Sequence, residues 1–460
     1  MLSHGIVHEQ ELPLDRVRQN LEAMDRGGIH DQLGGGFHRY TVDAEWRIPH
    51  FEKMLYDNGQ LLRLYAEGAI ALEEPRFAQV AEAIVAHLER DMLDHSGLFW
   101  ASWGADSEGE EGTYYVWTLD EVTTLLENPA PFATAYQVTR RGSFEAGTSV
   151  LIRQPGTDPN SEALVTAREQ LLAVRYQRIP PDVDDKFVVA WNGLAVGGLA
   201  RAGRLLERPH FVSLATNAAG TLLDTVGTGP LPRTLAANAP MGVVEDYAFV
   251  AEGLLDLYEA DPNPRWLIAA DRLAGQLVNL FEDPHDGGFF QASSQVEDLL
   301  VRRKDLTDGA EPSGAGRAVD VLVRLAAYGA PAAQGPTIER AMTASGLLLE
   351  RSPASVPTLA SVADRLSRTS TEVVLATPRH DHPDLAPFLE IYNQRYRPHS
   401  VLAVVTPEDL GTLSAFKALQ GKSPSQDSVR AFVCFDQACK FPTSDPEKFA
   451  AQLAAPLPTP

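Results

Sequence analysis

LERPHF (206–211) closes one helix-like run of apolar residues, turns at Pro209, and opens the next run at Phe211. LEEPRF (72–77) and DPNPRW (261–266) repeat the device. Pro75, Pro209 and Pro264 are 134 and 55 residues apart, roughly two units and one unit of about 60. A second echo follows the first: GLFWAS (97–102) comes after LEEPRF, and GGFFQA (287–292) after DPNPRW. GGGFHR (34–39) is the same device after the first helix.

Between these marks the apolar residues recur at helical spacing. Phe51, Leu55, Leu62, Tyr65, Ala69 and Leu72 form one stripe, in a helix expected to open at His50 behind Pro49. Trp191, Leu194, Gly198, Ala202 and Leu205 form a second, with small residues that permit close packing. Tyr247, Val250, Leu254 and Leu257 form a third, and Ser313 can cap a fourth carrying Val319, Leu322, Val323 and Ala326. About twelve helices are expected between residues 14 and 368. Connections of one sense are short and proline-marked. Those of the other sense, near 27–49, 94–117, 226–244 and 282–312, are long and rich in Gly, aromatics and charge.

Two helices per 50–70 residues predict a mainly α fold, a closed (α/α)6 barrel of helical hairpins over residues 1–368. An open solenoid is the competing reading, but its repeats are usually shorter. TEVVLAT (371–377), HSVLAVV (399–405) and VRAFVCF (429–435) read as strands, with helices near 383–396 and 446–455. Residues 369–460 are therefore expected to form a small α/β appendage, joined through a Ser-, Thr- and Pro-rich stretch at 352–370.

A formal net charge of −23 leaves no basic surplus to replace counterions on phosphate, which disfavours nucleic acid and anionic membranes as partners. No uncharged apolar run approaches the length of a membrane helix. MLSHGIVHEQELPLDRV (1–17) lacks a basic segment before an apolar run, so no signal peptide is expected and the cytoplasm is the default location. HExxH, EF-hand, CxxC and P-loop patterns are all missing, and no metal or cofactor is expected. Cys434 and Cys439, with four residues between them, do not have thioredoxin-type spacing and are placed on a strand and the turn after it.

The long connections deliver acidic groups to helix starts: Asp184 and Asp185, Glu245 and Asp246, then Asp305, Asp308 and Glu311. GADSEGEEGTYYVW (104–117) adds Asp106 and Glu108 beside Tyr114 and Trp117. Any one such carboxylate can be an ordinary helix cap. Their recurrence among aromatics points to a pocket of the kind sugar chemistry uses, in which paired carboxyls exchange protons and aromatic faces stack on sugar rings. A histidine pair such as His38 and His50 could instead exchange a proton at carbon. On one helix His50 and Asp57 would stand about two turns, roughly 10 Å, apart, and Glu52 and Asp57 would point in different directions. Catalytic partners must come from several hairpins.

DRGGIHDQLGGGFHRYTVDAEWRIPHFEKMLYDN (25–58), ADSEGEEGTYYVWT (105–118), DDKFVVAWNGL (184–194), VEDYAFVAEGLLDLYEA (244–260), DGGFF (286–290), KDLTDGAEPSG (304–314) and VCFDQAC (433–439) occur in order over nearly the whole chain. Together they resemble the spermatogenesis-associated protein 20-like, or YyaL-type, thioredoxin-domain-containing family. The resemblance implies a six-hairpin glycosidase-like domain akin to N-acylglucosamine 2-epimerases and cellobiose epimerases. Family members normally carry a thioredoxin-like domain before the barrel, whereas this chain starts almost at the first barrel helix. The family usually reads DGATPSGN where this chain has DGAEPSGAG (308–316), so Glu311 and Ala315 depart from the pattern.

The leading expectation is a carbohydrate-active protein, glycoside hydrolase or sugar epimerase in type, with a sugar ligand on the long-loop face. Asp106, Asp184, Asp185, Glu245 and Asp246 are its acid/base candidates. His50, Glu52, Asp57 and Asn192 would line or orient the site, with Trp117 and Trp191 as platforms. The alternative is a catalytically inactive scaffold or binding protein working with a thioredoxin-like partner, which would need an apolar docking surface near residues 1–33.

Overall fold

The computed structural model describes residues 1–333 and 335–454. Two units are distinguished, residues 11–186 and residues 1–10 together with those from 187 onward. Helix α1 (Leu2–Val7) belongs to the second of these.

In the unit of residues 11–186, α2 (Glu11–Arg26) leads into a long connection holding β1 (Tyr40–Thr41), β2 (Pro49–His50) and β3 (Lys53–Met54), followed by α3 (Leu55–Ala71) and α4 (Pro75–His87). The second connection carries β4 (Ser102–Trp103), β5 (Asp106–Ser107) and β6 (Glu110–Glu111). Helices α5 (Leu119–Leu125), α6 (Pro129–Ala135) and α7 (Glu162–Arg175) and strand β7 (Val183–Asp184) complete the unit. The helix expected at His50 begins five residues later, at Leu55. Its reason is non-local: Pro49 and His50 pair with Thr41 and Tyr40, and Lys53 and Met54 pair with Trp103 and Ser102. That backbone is already committed to ladders and cannot join the helix.

The glycines of GGGFHR are explained by contact. Gly35 has a φ of +74°, and a Cβ there would stand 2.2 Å from the Ala83 carbonyl oxygen of α4; a Cβ on Gly36 would meet the His87 ring at 2.4 Å. Only glycine lets this turn lie against the helix.

In the other unit, α8 (Val189–Leu205) and α9 (Pro209–Val226) form one hairpin, and α10 (Val244–Ala260) and α11 (Pro264–Phe281) the next. Then come α12 (Gly314–Ala327), α13 (Gly335–Arg351) and α14 (Pro357–Leu366). Prolines occupy the first turn of α9 and α11, where a missing N–H costs nothing. Helix α10 lies between α8 and α12 and backs onto α11. Both α8 and α10 are buried almost all round, whereas α11 buries a single face. Their close approach rests on glycine: a Cβ on Gly253 would stand 2.4 Å from the Gly193 carbonyl oxygen. Ser313 caps α12 as expected, its hydroxyl accepting from Gly316 N at 3.2 Å.

The expected Ser/Thr/Pro-rich join at 352–370 holds α14, whose Leu359 and Val362 are buried, so proline at its first turn marks a helix start and not a linker. Beyond it, β8 (Thr371–Ala376), α15 (Leu385–Asn393), β9 (Ser400–Val405), α16 (Pro407–Thr412), β10 (Arg430–Phe435), β11 (Ala438–Cys439) and α17 (Pro446–Ala454) form the α/β part. Its sheet order is β11-β10-β8-β9, with β8 and β9 parallel. Val373, Leu375, Leu402, Val433, Phe388 and Phe449 build its core. Cys439 lies in strand β11 and not in the expected turn. The two-residue loop Asp436–Gln437, with φ of 45° and 66°, closes a tight hairpin that sets Cys434 opposite Cys439, and the two are joined as a disulfide. The fold is mainly α, built of helical hairpins, with a small C-terminal α/β part.

Candidate functional site

The long connections collect polar groups separately in each unit. In residues 11–186, His50 Nδ1 donates to Glu111 Oε1 at 2.6 Å, and its Nε2 stands 3.8 Å from Glu52 Oε2. Arg39 holds Glu52 at 3.0 Å, and Tyr40 stacks on His50 at 5.0 Å. Asp106 is exposed opposite Glu111 in the β5–β6 pair. Asp184 pairs with Lys186 at 2.9 Å, and Asp185 is exposed. Asp57 is half-buried in the first turn of α3. Trp117 is fully buried beneath the Arg178 guanidinium, 3.9 Å from its ring centre, and offers no open face to a sugar. A cavity of about 860 Å³ opens beside these loops, lined by Glu108, Glu110, Glu111, Glu121 and Glu145 with Arg178.

In the other unit, the starts of α8 and α10 and the loop before α12 meet. Trp191 Nε1 donates to Glu311 Oε1 at 2.8 Å. Glu245, in the first turn of α10, packs against Gly314, where a Cβ would come within 2.8 Å of its carboxyl carbon. Burial raises the Glu245 carboxyl above its usual range; Arg233 opposes the shift, while Glu311 and Asp305 add to it. Burial raises Glu311 as well, against the Trp191 hydrogen bond and the charge of Arg233. Two half-buried carboxyls that each resist ionisation therefore sit within electrostatic reach of one another. Glu245 Oε2 is shut off from solvent and has no hydrogen-bond partner among the described residues.

The neighbouring candidates serve the framework. Asn192 is buried and donates to the Val188 carbonyl at 3.1 Å. Asp246, fully buried, accepts from Ala190 N at 3.0 Å, Val243 N at 2.9 Å and Arg233 Nη1 at 3.1 Å, tying α10 to α8. Asp308 accepts from Ser313 N at 2.8 Å and Thr358 N at 3.0 Å and so fixes the loop that carries Glu311.

Burial pushes Asp246 up to about 7 from an ordinary 3.8, outweighing Arg233 and the two amides. Between those values the folded chain keeps a proton that the unfolded chain has lost, so this group's contribution to stability falls as pH rises through the window and levels off above it. Asp246→Asn is expected to flatten that slope in thermal unfolding measured from pH 4 to 8; an unchanged slope would show that Asp246 is ionised throughout.

Among the sequence candidates, Trp191, Glu245 and Asp246 are thus brought together, and so are His50 and Glu52. Glu311, placed in the sequence as one carboxylate of a loop, emerges as the partner of Trp191. Its signal was its place beside Ser313, the cap that aims the loop at the start of α12.

No family model matches the chain. Spermatogenesis-associated protein 20 of Homo sapiens is 31% identical over 97% of this chain and 63% of its own length. The Mus musculus protein of the same name is 32% identical with the same coverage. An uncharacterized Caenorhabditis elegans protein is 29% identical over 91% of this chain and 64% of its own. The chain thus spans somewhat under two thirds of the curated relatives it matches. Among solved structures, a sugar epimerase from a ruminal bacterium aligns with a TM-score of 0.45 and 12% identity, covering 74% of this chain and 72% of that one. Cellobiose 2-epimerase of Spirochaeta thermophila aligns with a TM-score of 0.45 and 14% identity, covering 74% and 71%.

Proposed function

We propose that this homologue of spermatogenesis-associated protein 20 is a carbohydrate-active protein, hydrolase or epimerase in type, with Glu245 and Glu311 as its acid–base pair and Trp191 as the platform for a sugar ring. The observation that carries the reading is the solvent-shielded, partnerless Glu245 Oε2, in a carboxyl that burial biases toward its protonated form. A buried O–H or carboxyl oxygen without a partner is costly, and a substrate hydroxyl or glycosidic oxygen that displaced the side chains over it would satisfy it. Glu311, the second carboxyl, is oriented by the indole N–H and can take or return the proton. An acid that stays protonated unusually high in pH supports general-acid work near neutrality.

The alternative of a scaffold for a thioredoxin-like partner finds little support. Among residues 1–33 only Met1 and Leu12 expose a large apolar side chain, too little for an apolar docking patch. The dispersed placement of Asp106, Asp184 and Asp185 leaves them outside the proposed pair.

A thermal-shift screen with neutral mono- and disaccharides, sugar phosphates and uronates tests the proposal. A ligand at a hundred times its dissociation constant stabilises by about 2.7 kcal/mol, which moves the midpoint by a degree or more. The shift should vanish in Glu245→Gln and Glu311→Gln, and in the wild type it should weaken on the alkaline side as the two acids ionise. A shift that survives both substitutions would remove these residues from the site. Silence across the whole panel would end the carbohydrate reading.

A further inference from the structure

Far along the sequence from the carboxyl pair, His4, His8 and Asp364 place one donor atom each within 4.8 Å of one another, the metal-type cluster found among the described residues. His4 and His8 are four residues apart and so share a face of α1 and its C-terminal cap. Their rings lie 4.0 Å apart, and both address Asp364 on α14. His8 Nε2 is 2.6 Å from Asp364 Oδ1, and His4 Nδ1 is 3.7 Å from the same oxygen. A third imidazole, His399 Nε2, stands 3.7 Å from Oδ2.

An ordinary histidine–carboxylate pair accounts for His8 alone. His4 and His399 are beyond hydrogen-bond distance of the carboxylate they surround. Two ligands at about 2.0–2.2 Å from one tetrahedral ion, however, lie roughly 3.4 Å from each other. The His4 spacing of 3.7 Å is thus too long for a hydrogen bond and close to what a shared cation requires, whereas His399 faces the other oxygen, Oδ2. The His8 contact would lengthen by about 0.8 Å to reach the same spacing.

We propose that His4, His8 and Asp364 form a site for one divalent ion of the Zn²⁺ class, with water as the fourth donor, that fastens α1 to α14. Imidazole-rich sets with one carboxylate suit such borderline ions over Ca²⁺ or Mg²⁺. Arg368 Nη2 stands 2.7 Å from His8 Nδ1 and 3.2 Å from Nε2, and the 2.6 Å contact of Nε2 with the Asp364 carboxylate keeps the ring proton on Nε2. On metal binding, Nε2 gives its lone pair to the ion. The imidazole proton moves by way of solvent to Nδ1, and Arg368 withdraws from that atom. His4, Asp364 and His8 are only partly covered, with side-chain exposures of 45%, 16% and 27%, so an ion can enter from solvent.

Isothermal titration of the tag-free, EDTA-treated full chain with ZnCl₂ tests the site. The expected result is one saturable Zn²⁺ per chain, with affinity at least about tenfold weaker in His4→Ala and in His8→Ala. His4 is the more exposed of the two, so the metal-free His4→Ala chain should melt with the wild type, which separates lost binding from lost folding. Zn²⁺ should raise the wild-type midpoint and leave that of His4→Ala in place. No saturable binding, or binding that both substitutions leave unchanged, would overturn the proposal, whatever the carbohydrate screen returns.

Discussion

Replacing Glu259 with leucine is expected to lower stability by about 3–5 kcal/mol. Glu259 sits in the last turn of α10 and is almost wholly buried. Its Oε2 accepts from Arg201 at 3.1 Å and Arg204 at 3.4 Å, and its Oε1 accepts from Arg324 at 3.2 Å. Arg324 also reaches Asp256 at 2.9 Å. Three guanidinium groups from α8 and α12 thus share one carboxylate, and leucine would leave their mutual repulsion opposed mainly by Asp256. Cations cannot shed charge as a buried acid can, because arginine stays protonated. Urea unfolding would read the loss; a change under about 1 kcal/mol would mean that water or rearranged partners already neutralise the arginines. Against a total of roughly 5–15 kcal/mol for a typical domain, the expected loss is at least about a fifth of the whole.

Asp31→Ala is expected to be comparably severe, again about 3–5 kcal/mol, in the unit of residues 11–186. The Asp31 carboxylate accepts from Lys53 Nζ and Arg175 Nη1, each at 2.8 Å, and from the amides of Leu33 and Gly34 at 3.1 and 3.0 Å. Burial would push its carboxyl up, but Arg175 and Lys53 overcome that and hold it well below the usual range. Burial, offset in part by Asp31, brings Lys53 down to about 8. Removing Asp31 therefore strands a buried lysine beside an arginine and frees the turn that the glycines shape. A depressed carboxylate stabilises fully above its unfolded value and loses that contribution as pH falls from there through its lower folded value. Wild type should accordingly weaken in acid more steeply than Asp31→Ala, a difference that thermal unfolding between pH 2 and 6 would measure. Parallel pH profiles would show that the network does not depend on this charge.

What the sequence disclosed and what it withheld follow from the range of the forces involved. The apolar stripes of α3, α8, α10 and α12, the Ser313 cap and the strands of the C-terminal part were legible because each is local: period, cap and turn lie within a few residues. The start of α3 was not, since His50 and Lys53 are drawn into ladders with Tyr40 and Trp103, one of them 50 residues away. Asp256 and Glu259, buried in α10, carry no local sign of that burial, because their arginine partners lie on other helices. His4 and His8 had a visible four-residue spacing, yet their third donor, Asp364, lies 356 residues from His8. For the carboxyl site, Trp191 and Glu245 were legible from their helix starts, whereas the choice of Glu311 over Asp305 and Asp308 required the loop's actual path.

Helix α10 carries Glu245 in its first turn and Glu259 in its last, 14 residues apart (259 − 245), or roughly 21 Å along the axis at about 1.5 Å per residue. Between them Gly253 rests against Gly193 at a distance that admits no side chain. The helix therefore cannot creep by one position, since any shift in register would bring a side chain to the place where only hydrogen fits. It behaves as a ruler clamped at its middle. Side chains at the Glu245 end can therefore change without displacing the Glu259 end, and the reverse.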